Sequence, residues 1–227
     1  MLRFFASSIG NKIIMALTGI IFIGFLMGHL LGNLQIFEGR EAVNAYAALL
    51  KSMPKLLWTV RIGLILSLVL HVWTSIRLTL HNRAARPVAY AQNHPVSATL
   101  SSRTMMLSGL VVLAFVLYHL AHFTFTITHP EFADFHDSTG RHDVYGMMVL
   151  GFQSTYVSAF YVLAQILLCM HLSHGFSSAP QTLGMMNGTW AACVRRSGRA
   201  LAVLIAAAYI SIPLSVWLGI VTYASTN

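Results

Sequence analysis

Histidine is the residue type in this chain that could do chemistry inside its apolar segments. His29, His71, His119 and His171 each lie in a long stretch dominated by aliphatic and aromatic side chains. An ionisable side chain is costly in such a stretch and usually has a functional role there. Imidazole binds transition metals through a neutral ring nitrogen, and it also relays protons. Metal binding and proton transfer are therefore the two kinds of chemistry to compare with the positions of these histidines.

The stretches that carry these histidines are long enough to cross a membrane. The 227-residue chain is 56% hydrophobic and only 9% charged, unlike a soluble globular domain. A helix needs about 20 apolar residues to cross the hydrocarbon core of a bilayer. Five stretches meet that length, at residues 13–34, 56–80, 105–128, 147–172 and 201–222. Because the connections are short, the sequence predicts one all-α domain over residues 1–227, an integral membrane bundle of five transmembrane helices.

Charged residues orient the expected bundle. If the N-terminus is cytoplasmic, the inner side has no acidic residue and nine basic ones, namely Arg3, Lys12, Arg77, Arg83, Arg86, Arg103, Arg195, Arg196 and Arg199. The outer side then holds five basic and six acidic residues. Since positive charge accumulates in cytoplasmic loops, the sequence predicts an inner N-terminus and an outer C-terminus. Cations scattered over helix ends also argue against binding of nucleic acid.

The helical rise separates the four histidines into two levels. At about 1.5 Å per residue, His29 and His119 lie about 24 and 21 Å from the inner ends of their spans, in the outer half of the membrane. His71 and His171 lie about 13 and 8 Å from the inner boundary by the same rise. Each level thus receives one imidazole from each of two helices. Haem iron takes two axial ligands on opposite sides of a flat ring, so this arrangement predicts two b-type haems, one above the other.

Other metal chemistry fits the sequence less well. Covalent haem attachment needs a C-x-x-C-H motif, which the chain lacks, and its two cysteines, Cys169 and Cys193, lie far apart. A zinc site needs its ligands to converge on one point, whereas these histidines lie at two depths. A haem-free transporter, whose buried histidines bind metal or relay protons, remains an alternative. Colourless purified protein would favour it.

The first expected span also carries a strip of small residues. Gly24, Gly28 and Gly32 recur at intervals of four and therefore fall on one helix face. Such a strip lets a neighbouring helix approach closely. Beside His29, it would equally admit the edge of a porphyrin.

Four segments resemble the cytochrome b558 membrane-anchor subunit of succinate dehydrogenase and fumarate reductase, in its single-chain, five-helix, diheme form. They are SSIGNKIIMALTGIIFIGFLMGHLLGNLQIF (residues 7–37), NRAARPVAY (82–90), FVLYHLAHF (115–123) and HLSHGFSSAPQTLG (171–184). The resemblance covers roughly the first 190 residues. The last span matches only as an apolar helix.

The resemblance implies electron transfer by this chain, with the catalytic chemistry on other subunits. It implies a membrane anchor for two soluble partners, an FAD-containing flavoprotein and an iron–sulfur protein, together forming respiratory complex II of the tricarboxylic acid cycle. Succinate would be oxidised on the flavoprotein. Electrons would pass through two non-covalent, bis-His haems b to or from a membrane quinone, with menaquinone favoured. The expected location is the bacterial cytoplasmic membrane.

Two histidine motifs leave a choice of ligand, which the resemblance decides. HLAHF offers His119 and His122, and HLSHG offers His171 and His174. In similar proteins the first histidine of each motif binds the metal. This implies His29 with His119 at the outer haem iron, and His71 with His171 at the inner one. His174 is then expected beside a ligand or a haem propionate.

Positive side chains near the inner haem are candidates to bind its propionates. Lys12, Arg77 and Arg103 are the residues we expect there, although each could equally be an ordinary charge that anchors a helix end. Each ligand should also have a neighbour that fixes the orientation of its imidazole. Ser67, one turn before His71, is the expected neighbour of that ring.

One position departs from the family pattern. Similar diheme fumarate reductases tend to carry a glutamate, implicated in proton transfer across the membrane, where this chain has Cys169. This difference favours succinate oxidation over fumarate reduction. A diheme cytochrome b of another respiratory enzyme, such as a fumarate reductase, hydrogenase or formate dehydrogenase, remains the alternative. The subunits that co-purify with the chain would separate these functions.

Two features of the outer side concern loops. Val43 and, in the segment NAYAALLKSMP (residues 44–54), Tyr46, Ala47 and Leu50 lie at helical spacing, which predicts a short interfacial helix that could also form one wall of an outer quinone pocket. Residues 128–146 contain His129, His136 and His142 together with four acidic residues. We interpret that segment as a solvated loop, with a metal site as the minor alternative.

Overall fold

The computed structural model describes residues 7–85 and 103–223, without the side chain of Thr189; Arg3 and Arg86 of the expected basic band lie outside the described residues. Seven α-helices follow one another in these ranges: α1 (Ser8–Leu34), α2 (Arg40–Ser52), α3 (Pro54–Ala84), α4 (Met105–His119), α5 (Val144–Gln153), α6 (Thr155–Thr182) and α7 (Gly188–Trp217). A 3₁₀ turn, Gln35–Phe37, extends α1, and a π-helical turn, Leu120–Thr124, extends α4. Another 3₁₀ turn lies at Pro130–Asp134.

Five helices are long and apolar enough to cross a membrane. They are α1, α3, α4, α6 and α7, with the turns that extend α1 and α4 included. The surface of α3 suits contact with lipid, because Leu56, Ile65 and Trp73 are each more than half exposed. Apolar surface on this scale is not stable in water. The predicted all-α architecture, with five helices long and apolar enough to cross a membrane, is therefore confirmed.

The last two membrane-spanning helices differ in their bounds from the predicted spans at residues 147–172 and 201–222. The apolar run at residues 147–172 is divided at Ser154, whose extended backbone (φ −68°, ψ 119°) separates α5 from α6. Because α5 is buried within the bundle, its hydrophobicity resembles that of a membrane span, and pattern alone does not distinguish them. Helix α7 begins earlier than expected, since Arg195, Arg196 and Arg199 in its first turns hide its start from a search for apolar runs.

The membrane-spanning helices alternate in direction around α6. Helix α1 packs on α3 and α6, α4 packs on α6, and α6 packs on α7. Trp217 Nε1 donates a hydrogen bond to Thr155 Oγ1 (3.0 Å), which joins the end of α7 to the start of α6. We name the end of the bundle with α2, α5 and residues 125–143 the loop end. The opposite end, where α1, α4 and α7 begin, is the basic end.

A buried carboxylate holds the loop end together. Asp143 caps α5 by accepting a hydrogen bond from the Gly146 amide (3.1 Å), and its side chain is completely buried. Arg40 and Asn44 of α2 donate to it at 2.7 and 2.8 Å, and the Tyr223 hydroxyl donates at 3.1 Å. Burial acts to raise the pKa of Asp143, but these donors outweigh burial and hold that pKa below its ordinary value. The cap of α5 is thereby connected to α2 and to the C-terminal segment.

Candidate metal-binding histidine pairs

The structure brings the four intramembrane histidines together in the two pairs expected from their depths. The ring centroids of His29 in α1 and His119 in α4 lie 5.8 Å apart, with an angle of 80° between the ring planes. Those of His71 in α3 and His171 in α6 lie 6.4 Å apart at 60°. We name the first the loop-end pair and the second the basic-end pair.

The spacing within each pair suits two imidazoles that share one metal ion. Metal–nitrogen bonds of about 2.0 Å on opposite sides of an ion hold two ring centroids about 6 Å apart. Among the described residues, the helices that carry each pair, α1 with α4 and α3 with α6, are not closely packed on one another. The imidazoles therefore meet across a space between helices, and not within a helix–helix interface.

A hydroxyl from α1 fixes the ring of His71. Thr18 Oγ1 lies 2.9 Å from His71 Nδ1, and it also lies 2.8 Å from the carbonyl oxygen of Ile14. We assign the single hydroxyl proton to that carbonyl, so that the Thr18 oxygen accepts a hydrogen bond from His71 Nδ1–H. This tautomer leaves His71 Nε2 unprotonated, which is the form that binds a metal. From the sequence, Ser67 is expected in this role, whereas the hydroxyl at the ring belongs to Thr18 because α1 packs on α3.

The arrangement at His171 is similar. Ser108 Oγ in α4 lies 3.3 Å from His171 Nδ1, and it donates to the carbonyl of Met105 at 3.2 Å. A Cβ atom at Gly109 would lie only 3.3 Å from His171 Cε1, so a glycine there lets the ring lie against the backbone of α4. Both imidazoles of the basic-end pair are thus oriented by a neighbouring helix through Nδ1, and both keep Nε2 available.

One tyrosine contacts both histidines of the HLAHF motif. The Tyr161 hydroxyl of α6 lies 3.3 Å from His119 Nδ1 and 3.1 Å from His122 Nδ1. His122 is completely buried and stacks on Phe123, and its Nε2 has no hydrogen-bond partner within the described residues. Of the two, His119 is the one with a described ring contact to His29. The geometry therefore pairs the first histidine of the motif with α1.

The glycine strip of α1 is divided between two environments. A Cβ atom at Gly32 would lie 2.7 Å from the ring of Tyr46, so this glycine allows α2 to pack on α1. A Cβ atom at Gly24 or Gly28 would meet no described atom of a neighbouring element within 4 Å. Those two glycines present bare backbone close to His29, as a flat ligand beside that residue would require.

The candidate propionate partners lie at one level near the basic end. Lys12, Arg77 and Arg103 are all exposed. They lie five or six residues toward the basic end from Thr18, His71 and Ser108, respectively. This separation is about 8 or 9 Å along a helix axis. They are therefore placed to meet an anionic group on that side of the basic-end pair.

His174 lies within α6, although the predicted span ends at residue 172. It is half-buried, and α6 continues for eight residues beyond it, to Thr182. The helical rise puts it about 12 Å from the end of α6. It is one turn from His171, on the basic-end side of that ligand candidate.

Each pair offers a metal only two protein ligands. No group of three His, Cys, Asp or Glu side chains in residues 7–85 and 103–223 could hold a metal ion. An ion between two of these imidazoles would complete its coordination with a non-protein group, as haem iron does with the nitrogens of its porphyrin. The residues of both pairs therefore fit a haem. No protein-family model, curated protein or solved structure matches this chain.

Proposed function

We propose that this protein is a diheme cytochrome b that anchors a succinate:quinone oxidoreductase in the membrane and carries electrons to a quinone. One observation supports this function above all. Two imidazole pairs connect helices that are not closely packed, and hydroxyl groups contact Nδ1 in three of the four rings. Bis-imidazole coordination of haem requires such pairs, with Nε2 free on each ring.

Within this proposal each set of residues has a distinct task. His29 with His119, and His71 with His171, would hold the two haems b, which supply one-electron transfer when bound. Thr18, Ser108 and Tyr161 orient the ligands through Nδ1. Lys12, Arg77, Arg103 and His174 would bind propionates or lie beside them. The apolar helices keep water from the pairs, and a low dielectric strengthens each polar contact there.

The identity of the partners is the part of the proposal that depends on the family resemblance. We infer an FAD-containing flavoprotein, an iron–sulfur protein and a membrane quinone, with menaquinone favoured. The cations of the basic end favour the cytoplasmic side for that end, and we infer a bacterial inner membrane from the family resemblance. An iron–sulfur subunit would dock there, nearest to the basic-end pair.

The proposal is tested by the haem content of the purified, untagged chain. A dithionite-reduced minus oxidised spectrum with pyridine haemochrome quantitation is expected to show about two haems b per polypeptide. Flavin, iron–sulfur clusters and succinate:quinone activity should co-purify with the complex. Protein without haem would overturn the proposal in favour of a metal or proton transporter. Two haems with hydrogenase or formate dehydrogenase subunits would refute only the assignment to complex II.

Replacing Thr18 by valine should weaken haem binding at the basic-end pair. The variant keeps the shape of the side chain but removes the oxygen that accepts from His71 Nδ1. Loss of such a partner typically lowers metal affinity about 10- to 100-fold. The measurement is a haem titration of the haem-depleted chain.

Thr74→Val is the matched control for this substitution. Thr74 is also buried in a membrane-spanning helix, and its hydroxyl donates only to backbone carbonyls among its described partners, those of Leu70 (2.8 Å) and His71 (3.1 Å), as that of Thr18 donates to Ile14 and Met15. Equal haem affinity in the Thr18 and Thr74 variants would show that the Thr18 hydroxyl does not act on the ligand.

A further inference from the structure

Two histidines outside the membrane-spanning helices face each other across a hairpin at the loop end. His136 and His142 form an isolated antiparallel β-bridge, flanked by backbone hydrogen bonds from Asp137 to Arg141 (2.8 Å) and from Asp143 to Phe135 (2.9 Å). Residues opposite each other in antiparallel strands project their side chains from the same face. The two ring centroids lie 6.3 Å apart, with 75° between the ring planes.

The backbone fixes the same tautomer in both rings. His136 Nδ1 lies 2.8 Å from the carbonyl oxygen of Asp134, and His142 Nδ1 lies 3.1 Å from that of Phe135. A carbonyl oxygen only accepts hydrogen bonds, so each Nδ1 carries the proton and each Nε2 keeps its lone pair. Nδ1–H donation to a carbonyl is the usual support of a metal-binding histidine. His136 is exposed and His142 half-buried, so an ion can reach the pair from solvent.

The turn between the two histidines is held rigidly. The Asp137 carboxylate accepts hydrogen bonds from the amides of Thr139 (2.9 Å) and Arg141 (3.0 Å). The Arg141 guanidinium donates to Asp137 (2.8 Å) and to Glu41 of α2 (2.9 Å). The hairpin is therefore attached to α2. Binding an ion between its strands costs little ordering entropy, because the backbone is already fixed.

We propose that His136 and His142 bind one divalent transition-metal ion through their Nε2 atoms. Imidazole suits Cu²⁺, Ni²⁺ and Zn²⁺, and Cu²⁺ should bind most tightly because it leads this series. Asp137 is engaged by Arg141, so water completes the coordination. The site is independent of haem and of the proposed electron transfer, because it lies in a loop outside the membrane-spanning helices.

The charged groups around the pair predict how its affinity can be changed. Lys51 of α2 lines the same cavity of about 300 Å³ as Arg141 and His142. Glu41 and Asp137 form ion pairs with Arg141 and offset the positive charge of that guanidinium. Lys51 remains to repel a cation bound between the two histidines. Replacing Lys51 by alanine should therefore tighten metal binding about two- to fivefold at low ionic strength.

Zn²⁺ titration of the full-length, untagged chain in detergent tests the site. We expect a saturable site, distinct from any binding at the loop-end and basic-end pairs, whose affinity falls at least about tenfold in His136→Ala and in His142→Ala, since each variant loses one of two ligands. His129→Ala is the matched control, because His129 belongs to the same loop but stacks on Phe132. Cu²⁺ bound to the wild-type chain should show an electron paramagnetic resonance spectrum with two imidazole nitrogens.

A second measurement needs no substitution and does not depend on folding of the variants. Saturating Zn²⁺ should protect His136 and His142 from diethylpyrocarbonate, as read by mass spectrometry of the peptides, and should leave the exposed His81 reactive. Equal Zn²⁺ affinity in the wild type and both alanine variants, or equal modification with and without Zn²⁺, would overturn the proposal and leave adventitious binding only.

Discussion

Replacing His171 by alanine is expected to lower the haem b content of the purified chain from about two per polypeptide to about one. The variant removes one of the two protein ligands of the basic-end pair and leaves His71 without its partner imidazole, 6.4 Å away. The loop-end pair uses other side chains and should keep its haem. The measurement is the pyridine haemochrome value per polypeptide, together with the reduced minus oxidised spectrum.

Double substitutions test the pairing itself. If His71 and His171 share one haem, the double variant should lose no more haem than either single variant, because removal of one ligand already empties the site. By contrast, changing His71 together with His119 should remove both haems. Additive loss within a pair, or no further loss between pairs, would contradict the assignment of these four ligands.

His122 and His174 provide controls for the same measurement. Each lies three residues after a proposed ligand, which is about one helical turn away and on nearly the same face. Alanine at either position should leave the haem count near two, although the spectrum can shift. Loss of a whole haem in His122→Ala, with His119→Ala unaffected, would transfer the ligand role to the second histidine of the HLAHF motif.

The main architecture follows from the sequence because membrane spans obey simple length and hydropathy constraints. Five apolar runs predict five helices, and a fixed rise per residue sorts His29 and His119 from His71 and His171. The structure brings each of these pairs together. Depth within a membrane can thus be predicted from the sequence, because it depends only on the position of a residue along its helix.

The neighbours of the ligand candidates could not be predicted in this way. Thr18, Ser108 and Tyr161 approach their histidines from another helix, and their positions depend on how the helices rotate and pack. Spacing within one helix predicts Ser67 as the neighbour of His71, but it gives no information about Thr18, which lies on another helix. Serine and threonine are also common in apolar helices, where they bond to the preceding turn, as Thr18 does to Ile14.

The division of the fourth apolar run has a similar cause. Helix α5 ends at Gln153 and is covered by the rest of the bundle, whereas α6 begins at Thr155 and is long and apolar enough to cross a membrane. Both are apolar because neither faces water. The two helices differ in what covers them, and this depends on tertiary contacts. For α5 these contacts include its buried cap, Asp143, which is hydrogen-bonded to α2.

Replacing Asp143 by asparagine is expected to destabilise the loop end by about 2–4 kcal/mol, because it leaves the Arg40 guanidinium facing a neutral amide in a buried site. Asp143 is completely buried and Arg40 is 24% exposed, so solvent screens their interaction only in part. For a chain of this size the change corresponds to a fall in Tm of about 5–10 °C. Thermal unfolding in detergent, followed by tyrosine and tryptophan fluorescence, measures it.

Asp134→Asn is the matched control for this substitution, since Asp134 is an exposed acid of the same loop and its variant should unfold near the wild-type temperature.

The pH dependence of the stability provides a second test of the role of Asp143. In the unfolded chain Asp143 titrates near a pKa of about 3.9, whereas its donors hold the pKa lower in the folded protein. The stabilisation is therefore complete above that value and is lost as the pH falls through the folded pKa. The difference in Tm between the wild type and Asp143→Asn should be largest near neutral pH and should shrink below about pH 4. A difference that stays constant from neutral to acidic pH would mean that the charge of Asp143 does not stabilise the loop end, and that the carboxylate serves only as the cap of α5.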